Sequence, residues 1–433
     1  MRPAMEAIER LMQRVGAGTR PFKIGSGYPI LYGECGSSSK SVLVYGHYDV
    51  APVGQLNQWS YGPFSSTLVD GKLFARGAAN GKGDLVARLS AVEAYQKSFG
   101  KLPVCLKFIV EGEAGIGSPS LQRFACENAG LLRAEGSIWS EGFKDTNERF
   151  VISLGFKGIV FVELRVKGAK SDLHSKWGAI VPNPAWRMVQ ALSTLTSPKG
   201  VITIDGFTSN IVPISREDEE ILKSIDFDEA GLKREFQVSG WIRGMKGHTV
   251  VKELIFGPTC TICGIQTGHT EAGPKTVLPG SAVARLDFRL VPDLTPTLVI
   301  NLLRAHLDAR GFKDIEIVDL GSIPTAKSNG DSLVARAAIA AAEEVYEKNP
   351  VVYPLHPSSG PAGIMCGVND PPVPVISFGT AYSGSNPHGP DENIRMDDFI
   401  ENVRFFGRLI HNLAAKQVAQ SEEPETKELI LPV

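Results

Sequence analysis

The feature that most constrains the fold is a short apolar run, Val104 to Val110, followed at once by Glu111-Gly-Glu-Ala-Gly-Ile-Gly-Ser118. A short, continuous apolar run next to glycines predicts a strand that is buried on both faces, as in a parallel sheet covered by helices. A glycine-rich acidic loop at the carboxyl end of such a strand is where open α/β sheets build their active sites. The sequence therefore predicts an α/β fold with a site at this loop.

Composition excludes several classes of protein. The chain has 433 residues, of which 43% are hydrophobic, so it is long enough for two domains with cores of their own. A net charge of -2 provides no field that would attract nucleic acid or an anionic membrane. No apolar run reaches the length of about 18 residues that a membrane span needs, and the charged N-terminus has no signal core. Six scattered cysteines suit a reducing compartment, so we expect a cytoplasmic protein.

Polar residues also follow two other predicted strands. The strand from Ser41 to Tyr45 leads into Gly46-His-Tyr-Asp-Val50, and a strand near Ser137 leads to Glu141. Because side chains alternate along a strand, His47 and Asp49 point to the same side. Such a pair can serve as a metal ligand with the carboxylate that orients it, or simply as a hydrogen-bonded turn.

The remaining pattern predicts two domains. Near Phe150 the pattern changes to an α+β segment, which we place at 157–310 as an insertion between 1–156 and 311–420, with a loose tail at 421–433. Predicted helices cover 4–16, 85–98, 120–128, 183–194, 214–237, 295–310, 332–348 and 396–416. An antiparallel strand pair is predicted within 152–166, and further strands at 253–265, 281–291 and 373–379.

Seven motifs occur in an order seen in one family. They are Gly46-His-Tyr-Asp-Val50, Arg76-Gly-Ala-Ala-Asn-Gly-Lys-Gly83, Glu111-Gly-Glu-Ala-Gly-Ile-Gly-Ser118, Asp172-Leu-His-Ser175, Gly273-Pro-Lys-Thr-Val-Leu-Pro279, Phe288-Arg-Leu-Val-Pro292 and His388-Gly-Pro-Asp-Glu-Asn393. The chain resembles the dinuclear-zinc aminoacylase and carboxypeptidase family, which includes carnosine dipeptidases and acetylornithine deacetylase. This resemblance implies a zinc-exopeptidase-like α/β catalytic domain, interrupted by a smaller α+β lid domain that also forms a homodimer.

The resemblance also assigns metal-site positions. It places first-metal ligands at His47 and Glu141, a supporting acid at Asp49, and a second-metal ligand at His388. The bridging carboxylate, the general base and a further second-metal ligand fall at Asn80, Ala114 and Gly115, none of which carries a carboxylate. Since zinc takes three or four N, S or carboxylate ligands, we expect no dinuclear zinc and at most one weakly bound zinc.

The positions that hold the ligand match the family. The resemblance gives His174 the role of stabilising an oxyanion, and Arg289, with Thr276 nearby, the role of holding a substrate carboxylate. Ser358, Ser359 and Gly360 match a loop that lines the substrate cleft. A turn histidine and a surface arginine in a salt bridge are the alternative interpretations of His174 and Arg289. The pattern favours a small-molecule substrate with a free carboxylate.

Three functions remain open from the sequence. The leading hypothesis is an enzyme that acts on an amide or related bond of a small acylated amino acid or dipeptide by metal-independent chemistry, such as cyclisation, acyl transfer or elimination. Its catalytic candidates are Asp49, Glu113 and His174. The alternatives are a non-catalytic ligand-binding homologue, and a one-metal amidohydrolase or dipeptidase in which Glu111 or Glu113 fills the vacant position.

Overall fold

The chain divides into two compact units. The structure is a computed structural model that describes residues 1–414. The first unit comprises Met1–Gly155, Lys327–Leu355 and residues 364–414, and the second comprises Phe156–Ala326 and His356–Gly363. The expected loose tail, 421–433, lies outside the described residues. In the described part, no helix is both long enough and apolar enough to cross a membrane.

Helices and strands alternate through much of the described chain. The helices are α1 Arg2–Arg14, α2 Gly83–Phe99, α3 Leu121–Glu127, α4 Pro184–Leu192, α5 Arg216–Lys223, α6 Glu229–Phe236, α7 His248–Phe256, α8 Pro296–Ala309, α9 Leu333–Val345, α10 Ala362–Cys366 and α11 Met396–Ala414. The strands are β1 Gly18–Phe22, β2 Ile30–Cys35, β3 Ser41–His47, β4 Thr67–Val69, β5 Lys72–Phe74, β6 Cys105–Glu111, β7 Gly136–Ser140, β8 Val151–Ser153, β9 Gly155–Lys167, β10 Leu173–His174, β11 Thr261–Thr267, β12 Val277–Leu278, β13 Ser281–Leu290, β14 Glu316–Ile323, β15 Ala326–Lys327, β16 Val351–Tyr353, β17 His356–Ser359, β18 Val375–Phe378 and β19 Asn393–Arg395.

The first unit is built on an eight-stranded sheet in the order β1-β2-β6-β3-β7-β18-β8-β16. Its central strands β6, β3, β7 and β18 are parallel, and β1 and β2 extend one side in antiparallel pairing. These central strands are short apolar runs because helices cover the sheet. Apolar side chains of α2, α9 and α11 pack with them into one core, for example Leu85, Ala338 and Phe405. The carboxyl ends of the four parallel strands therefore meet at one edge.

A buried arginine ties these strand ends together. Arg88, on the buried face of α2, is fully inaccessible to solvent. Its guanidinium donates to the carbonyl oxygens of Tyr45, Trp139 and Phe378 at 3.1, 2.6 and 3.1 Å, and to the hydroxyl of Ser140 at 2.6 Å. These acceptors belong to β3, β7 and β18. One side chain thus holds three parallel strands in register at the edge where the loops begin.

One turn earlier on α2, Asp84 contacts the loop after β18. Its Oδ1 accepts the backbone N–H and the hydroxyl of Thr380, at 2.7 and 2.8 Å. Its Oδ2 is buried and has no hydrogen-bond partner among the described residues. Burial raises the pKa of Asp84 to about 6, although the charge of Arg88 and the bonds from Thr380 act in the opposite direction.

The second unit is a sheet covered by helices. Its strands β11, β13, β9 and β14 are neighbours in that order and pair in antiparallel fashion, while β17 pairs with β9 in parallel. One face of β9 and β13 packs with α4 and α8 into a separate core that includes Val162, Met188, Leu286 and Leu303. The strict alternation of buried and exposed residues along β13 reflects this one-sided burial.

Three sequence expectations differ from the structure. The segment 152–166 is not an antiparallel pair, because β8 belongs to the first sheet and β9 to the second. Residues 253–256 lie in α7, and the strand begins only at Thr261. Residues 311–326, expected in the first domain, belong to the second unit because β14 pairs with β9.

We expect Arg88→Met to destabilise the first unit. Methionine keeps an apolar stem but removes the guanidinium donors from three carbonyl oxygens and a hydroxyl, and only the Tyr45 oxygen among these retains the Ser140 hydroxyl as a donor. The free energy of unfolding should therefore fall by about 3 kcal/mol or more. Denaturant unfolding measures this change. Arg123→Met on the exposed face of α3 is the matched control and should leave stability unchanged. Equal stability of the two variants would contradict the role of Arg88.

The titration of Asp84 should make the free energy of unfolding depend on pH. The pKa of Asp84 in the folded chain, about 6, lies above its ordinary value of 3.8. The stability that the protonated side chain contributes is therefore fully present below the ordinary pKa and is lost as the pH rises through the folded pKa. Asp84→Asn removes this titration. The unfolding free energy of the variant relative to the natural chain should therefore rise by roughly 3 kcal/mol between acid and neutral pH. Parallel stability curves for the two chains from pH 3.5 to 7.5 would show that Asp84 does not titrate in this window.

Candidate active site

The carboxyl ends of the parallel strands bring acidic and imidazole side chains together. His47 is the last residue of β3 and Glu111 the last of β6, and the register of the two strands pairs them. Glu141 follows β7 directly and is half-buried. The expected edge of the sheet therefore carries three of the polar residues that follow strands in the sequence.

His47 and Asp49 form a buried pair. His47 Nδ1 lies 3.1 Å from Asp49 Oδ1, and Asp49 Oδ2 accepts the backbone N–H of Gly115 at 2.7 Å. Burial alone would raise the pKa of Asp49, but the hydrogen bond and charge of His47 and the Gly115 N–H hold that pKa below its usual range. Asp49 is thus an ionised carboxylate that orients the ring, and the proton of a neutral His47 lies on Nδ1.

The other ring nitrogen of His47 faces the backbone of the Asn80 turn. A Cβ atom placed on Gly81, whose φ is +97°, would lie 2.2 Å from His47 Nε2. Glycine is therefore required at this close approach, both for space and for its positive φ. In the same turn, the backbone N–H groups of Ala79 and Asn80 donate to Glu392 Oε1 at 3.0 and 2.9 Å.

Glu111 is the most deeply buried acid of the site. Its Oε1 accepts the hydroxyl groups of Tyr45 and Ser118 at 2.6 and 2.7 Å, and its Oε2 has no hydrogen-bond partner in the described chain. Burial raises the pKa of Glu111 to about 7, despite these two hydrogen bonds and the charge of His47. A carboxyl group in this environment can carry a proton near neutral pH.

Glu113, two residues after Glu111, is held by backbone N–H groups. Its Oε1 accepts the backbone N–H of Tyr28 at 2.9 Å, and its Oε2 accepts that of Ser120 at 3.1 Å. Both oxygens are engaged by backbone groups, and the side chain is only 4% exposed. This bonding pattern supports the loop, whereas Glu111 keeps one oxygen, Oε2, without a hydrogen-bond partner in the described chain.

The three positions without carboxylates lie in two short turns. Ala114 and Gly115 begin a single 3-10 turn, Ala114–Ile116, directly after Glu113. Asn80 lies in the five-residue turn Ala78–Lys82. Arg76 pairs with Glu392 at 2.7 Å and donates to the carbonyl oxygen of His388 at 3.1 Å. The loops are therefore held by buried polar contacts.

A pair of zinc ions needs several nitrogen, sulfur or carboxylate donors that lie close together. In residues 1–414, no three or more histidine, cysteine, aspartate or glutamate side chains are grouped so that they could hold a metal ion. Asparagine, alanine and glycine occupy the three positions where the resemblance requires carboxylates. His388 is exposed, on a backbone with a φ of +64°. Each zinc needs three or four strong donors, whereas positions 80, 114 and 115, to which the resemblance assigns carboxylates, carry an amide, a methyl group and a hydrogen atom.

The second unit brings His174 and Thr276 together. His174 ends β10, which pairs with β12, and its Nε2 lies 3.4 Å from Thr276 Oγ1. Its Nδ1 accepts the backbone N–H of Lys176 at 3.1 Å. In the neutral ring, the proton therefore lies on Nε2, which becomes a hydrogen-bond donor. This is the property that an oxyanion-stabilising histidine requires.

Arg289 lies on β13, and the serine loop, Ser358 to Gly360, begins on β17. Both strands pair with β9. Arg289, on β13, is opposite Ile159 of β9, while Ser359, on β17, is opposite Lys157 of the same strand. The Arg289 guanidinium is half-buried, and its Nε is 3.8 Å from Asp287 Oδ1, a long ion pair. Ser359 is fixed by donating to the Gly158 carbonyl oxygen at 2.9 Å.

The rest of the serine loop is also held in place. The Ser358 hydroxyl lies 2.7 Å from His356 Nδ1. A Cβ on Gly360 would meet the ring of Phe156 at 3.5 Å, an ordinary contact. Ser358, Ser359 and Gly360 therefore belong to the same unit as Arg289.

Comparison with known proteins supports the family assignment. The model of Peptidase family M20/M25/M40 matches residues 43–412. The chain is 28% identical to a rat Beta-Ala-His dipeptidase over 399 residues, 89% of this chain and 80% of that protein. It is 26% identical to a Schizosaccharomyces pombe Cys-Gly metallodipeptidase over 406 residues, 89% of this chain and 83% of that protein.

Solved structures agree with these relatives. An M20 family metallo-carboxypeptidase from Sulfolobus solfataricus superposes with a TM-score of 0.89 at 32% identity, covering 95% of this chain and 93% of that one. Human carnosine dipeptidase 1 superposes with a TM-score of 0.79 at 25% identity, covering 95% and 90%. The α/β fold and the family resemblance predicted from the motifs are confirmed. The chain belongs to Peptidase family M20/M25/M40.

Proposed function

We propose that this member of the family acts on an amide or related bond of a small acylated amino acid or dipeptide without a pair of zinc ions. The observation that carries the proposal is the buried His47–Asp49 pair beside a loop with Ala114 and Gly115 in place of two acids. The relatives are named for dipeptides, β-Ala-His and Cys-Gly. A dipeptide and an acylated amino acid share an amide bond and a free carboxylate.

Residues of the first unit are assigned to proton transfer. Asp49 holds the proton on Nδ1 of His47. We assign to Nε2, which carries the lone pair of the ring and lies beside Gly81, the role of accepting a proton from an attacking amine or hydroxyl group of the ligand. The same proton can return to the departing nitrogen. Glu111 supports this chemistry as a buried acid that can also supply a proton. Cyclisation, acyl transfer and elimination require only such transfers, whereas ordinary hydrolysis in this family uses an acid that is missing at position 114.

Residues of the second unit are assigned to ligand binding. The Arg289 guanidinium can hold a carboxylate through two parallel hydrogen bonds, since its present partner Asp287 is distant. The Nε2–H of His174 is available for an oxyanion. A non-catalytic ligand-binding homologue would use the same residues, and turnover assays separate the two functions.

The resemblance further implies a homodimer, and we retain this together with a cytoplasmic location as proposals. All six cysteines are free thiols, which fits a reducing compartment. The edge strand β11 is exposed along nearly its whole length, which fits a surface that a second copy could cover. Sedimentation as a monomer, or fractionation with secreted protein, would contradict these proposals.

Zinc content and turnover test the proposal directly. The purified chain should contain less than one equivalent of zinc by elemental analysis, and its turnover of a panel of N-acyl amino acids and dipeptides should be unaffected by a chelator. Two zinc ions per chain with hydrolysis proportional to zinc would refute the proposal. One zinc with chelator-sensitive hydrolysis would support the one-metal alternative, and tight binding without turnover would support the non-catalytic one.

A variant with restored acids provides the control. Asn80→Asp, Ala114→Glu and Gly115→Glu together should increase zinc binding and produce zinc-dependent peptidase activity, whereas Asn80→Asp alone should do neither. An added Cβ at Gly115 would lie 3.2 Å from Asp49 Oδ2, so Asp49 has to move by a few tenths of an ångström in this variant. Failure of the triple variant to bind zinc would show that the loop backbone also differs from that of the zinc enzymes.

Arg289→Lys tests the carboxylate grip. Lysine keeps the charge but loses the two parallel donors, so the affinity for an N-acetyl amino acid should fall about tenfold or more. Arg285→Lys, four residues away on the same strand, is the matched control, because Arg285 pairs with Glu163 at 2.8 Å and is more exposed. The amide-capped form of the same ligand should bind equally to all three chains in calorimetry. Unchanged affinity in Arg289→Lys would assign the carboxylate to another residue.

A further inference from the structure

The first unit contains an apolar cavity that the candidate active site does not use. Its volume is about 350 Å³, within the range of small-molecule sites. The hairpin β4–β5, the start of α2 and the start of α11 enclose it. Its apolar lining includes Phe64, Leu73, Val86, Ile394, Met396 and Phe399.

The cavity is separate from the groups assigned to proton transfer. His47, Asp49 and Glu111 are not among its lining residues, and neither is any of the positions 80, 114 and 115. Part of its wall belongs to a small apolar cluster formed by Ala78, Ile394, Leu73 and Phe399, distinct from the main core of the unit. A ligand of the cavity would thus be a second ligand of the chain.

Two cationic side chains contribute to the lining, and Lys82 is the one that forms no direct ion pair within residues 1–414. Arg76 pairs with Glu392 at 2.7 Å, and both side chains are almost fully buried. Lys82 donates to the carbonyl oxygen of Asp49 at 3.4 Å, a long hydrogen bond, and forms no ion pair with a carboxylate of residues 1–414. The charges of Glu392 and Asp49 act on Lys82 only from a distance. A largely buried ammonium group without a direct ion pair is unfavourable, so a bound anion in contact with it would stabilise it.

The entrance to the cavity is also apolar. The Phe64 side chain is 69% exposed at the rim, while Ile394 inside is 1% exposed. An exposed aromatic ring that leads to buried apolar walls favours a ligand whose body is apolar. The cavity therefore combines an apolar path with one unpaired cation.

We propose that this cavity binds a small molecule with an apolar body and a single carboxylate group, and that the carboxylate pairs with Lys82. The apolar body replaces water against Leu73, Val86 and Phe399, and the charge-assisted hydrogen bond fixes the orientation of the ligand. This binding does not depend on the function proposed for the active site.

Calorimetry with octanoate and its uncharged analogue octanamide tests the proposal on the full chain. Octanoate should bind about tenfold more tightly than octanamide, the effect expected of one charge-assisted hydrogen bond. Lys82→Met should remove this preference and leave octanamide binding intact. Lys97→Met, on the exposed part of the same helix, is the matched control and should retain the preference.

Two further variants locate the site. Val86→Trp fills the cavity and should abolish binding of both compounds, while Phe64→Ala, which alters only an exposed rim residue, should weaken both several-fold. Arg289→Lys should leave octanoate binding unchanged, which separates this site from the substrate-binding residues. Octanoate binding that survives in Val86→Trp and Phe64→Ala, or that is lost in Arg289→Lys, would overturn the proposal, as would equal affinity for octanoate and octanamide in the natural chain.

Discussion

The arrangement of the candidate active site depends on the hydrogen bonds of one buried cation. Arg88 donates to backbone carbonyl oxygens at the ends of β3, β7 and β18, and so fixes three strands that are distant in the sequence. His47 lies two residues beyond the acceptor on β3, and Glu141 follows the last residue of β7. A guanidinium group suits this position, because it offers five donors in a rigid plane and has no acceptor to satisfy. The loops can therefore vary in sequence while the strand ends that carry them remain fixed.

The sequence predicts the strand ends well, because the signal is local. Apolar runs of about seven residues that end in a histidine or an acid specify both the strand and the edge to which its side chain is delivered. The same reasoning cannot choose between Glu111 and Glu113, since the difference lies in their partners. Glu113 is engaged by the backbone of Tyr28, far away in the sequence, and Glu111 by the hydroxyl of Tyr45 on the neighbouring strand. Adjacency to a motif carries no information about such contacts.

Non-local pairing also explains the errors in domain organisation. The boundary expected at residue 310 follows a predicted helix, but β14 returns to pair with β9 and extends the second unit to Ala326. The short segment His356–Gly363 belongs to the same unit because β17 pairs with β9 as well. Composition changes little across these points. Only the hydrogen bonds between strands define the division, and no pattern within a single strand records its partner.

The support of the His47–Asp49 pair is independent of the side chains that differ from the family pattern. Asp49 receives its second hydrogen bond from the backbone N–H of Gly115, and every residue except proline can supply that bond. Replacement of an acid at this position therefore leaves the orientation of His47 intact. Gly81, at the other side of the ring, is constrained by space and by its positive φ. Backbone groups thus hold a buried imidazole–carboxylate pair in place, and its geometry does not depend on which side chains occupy positions 114 and 115.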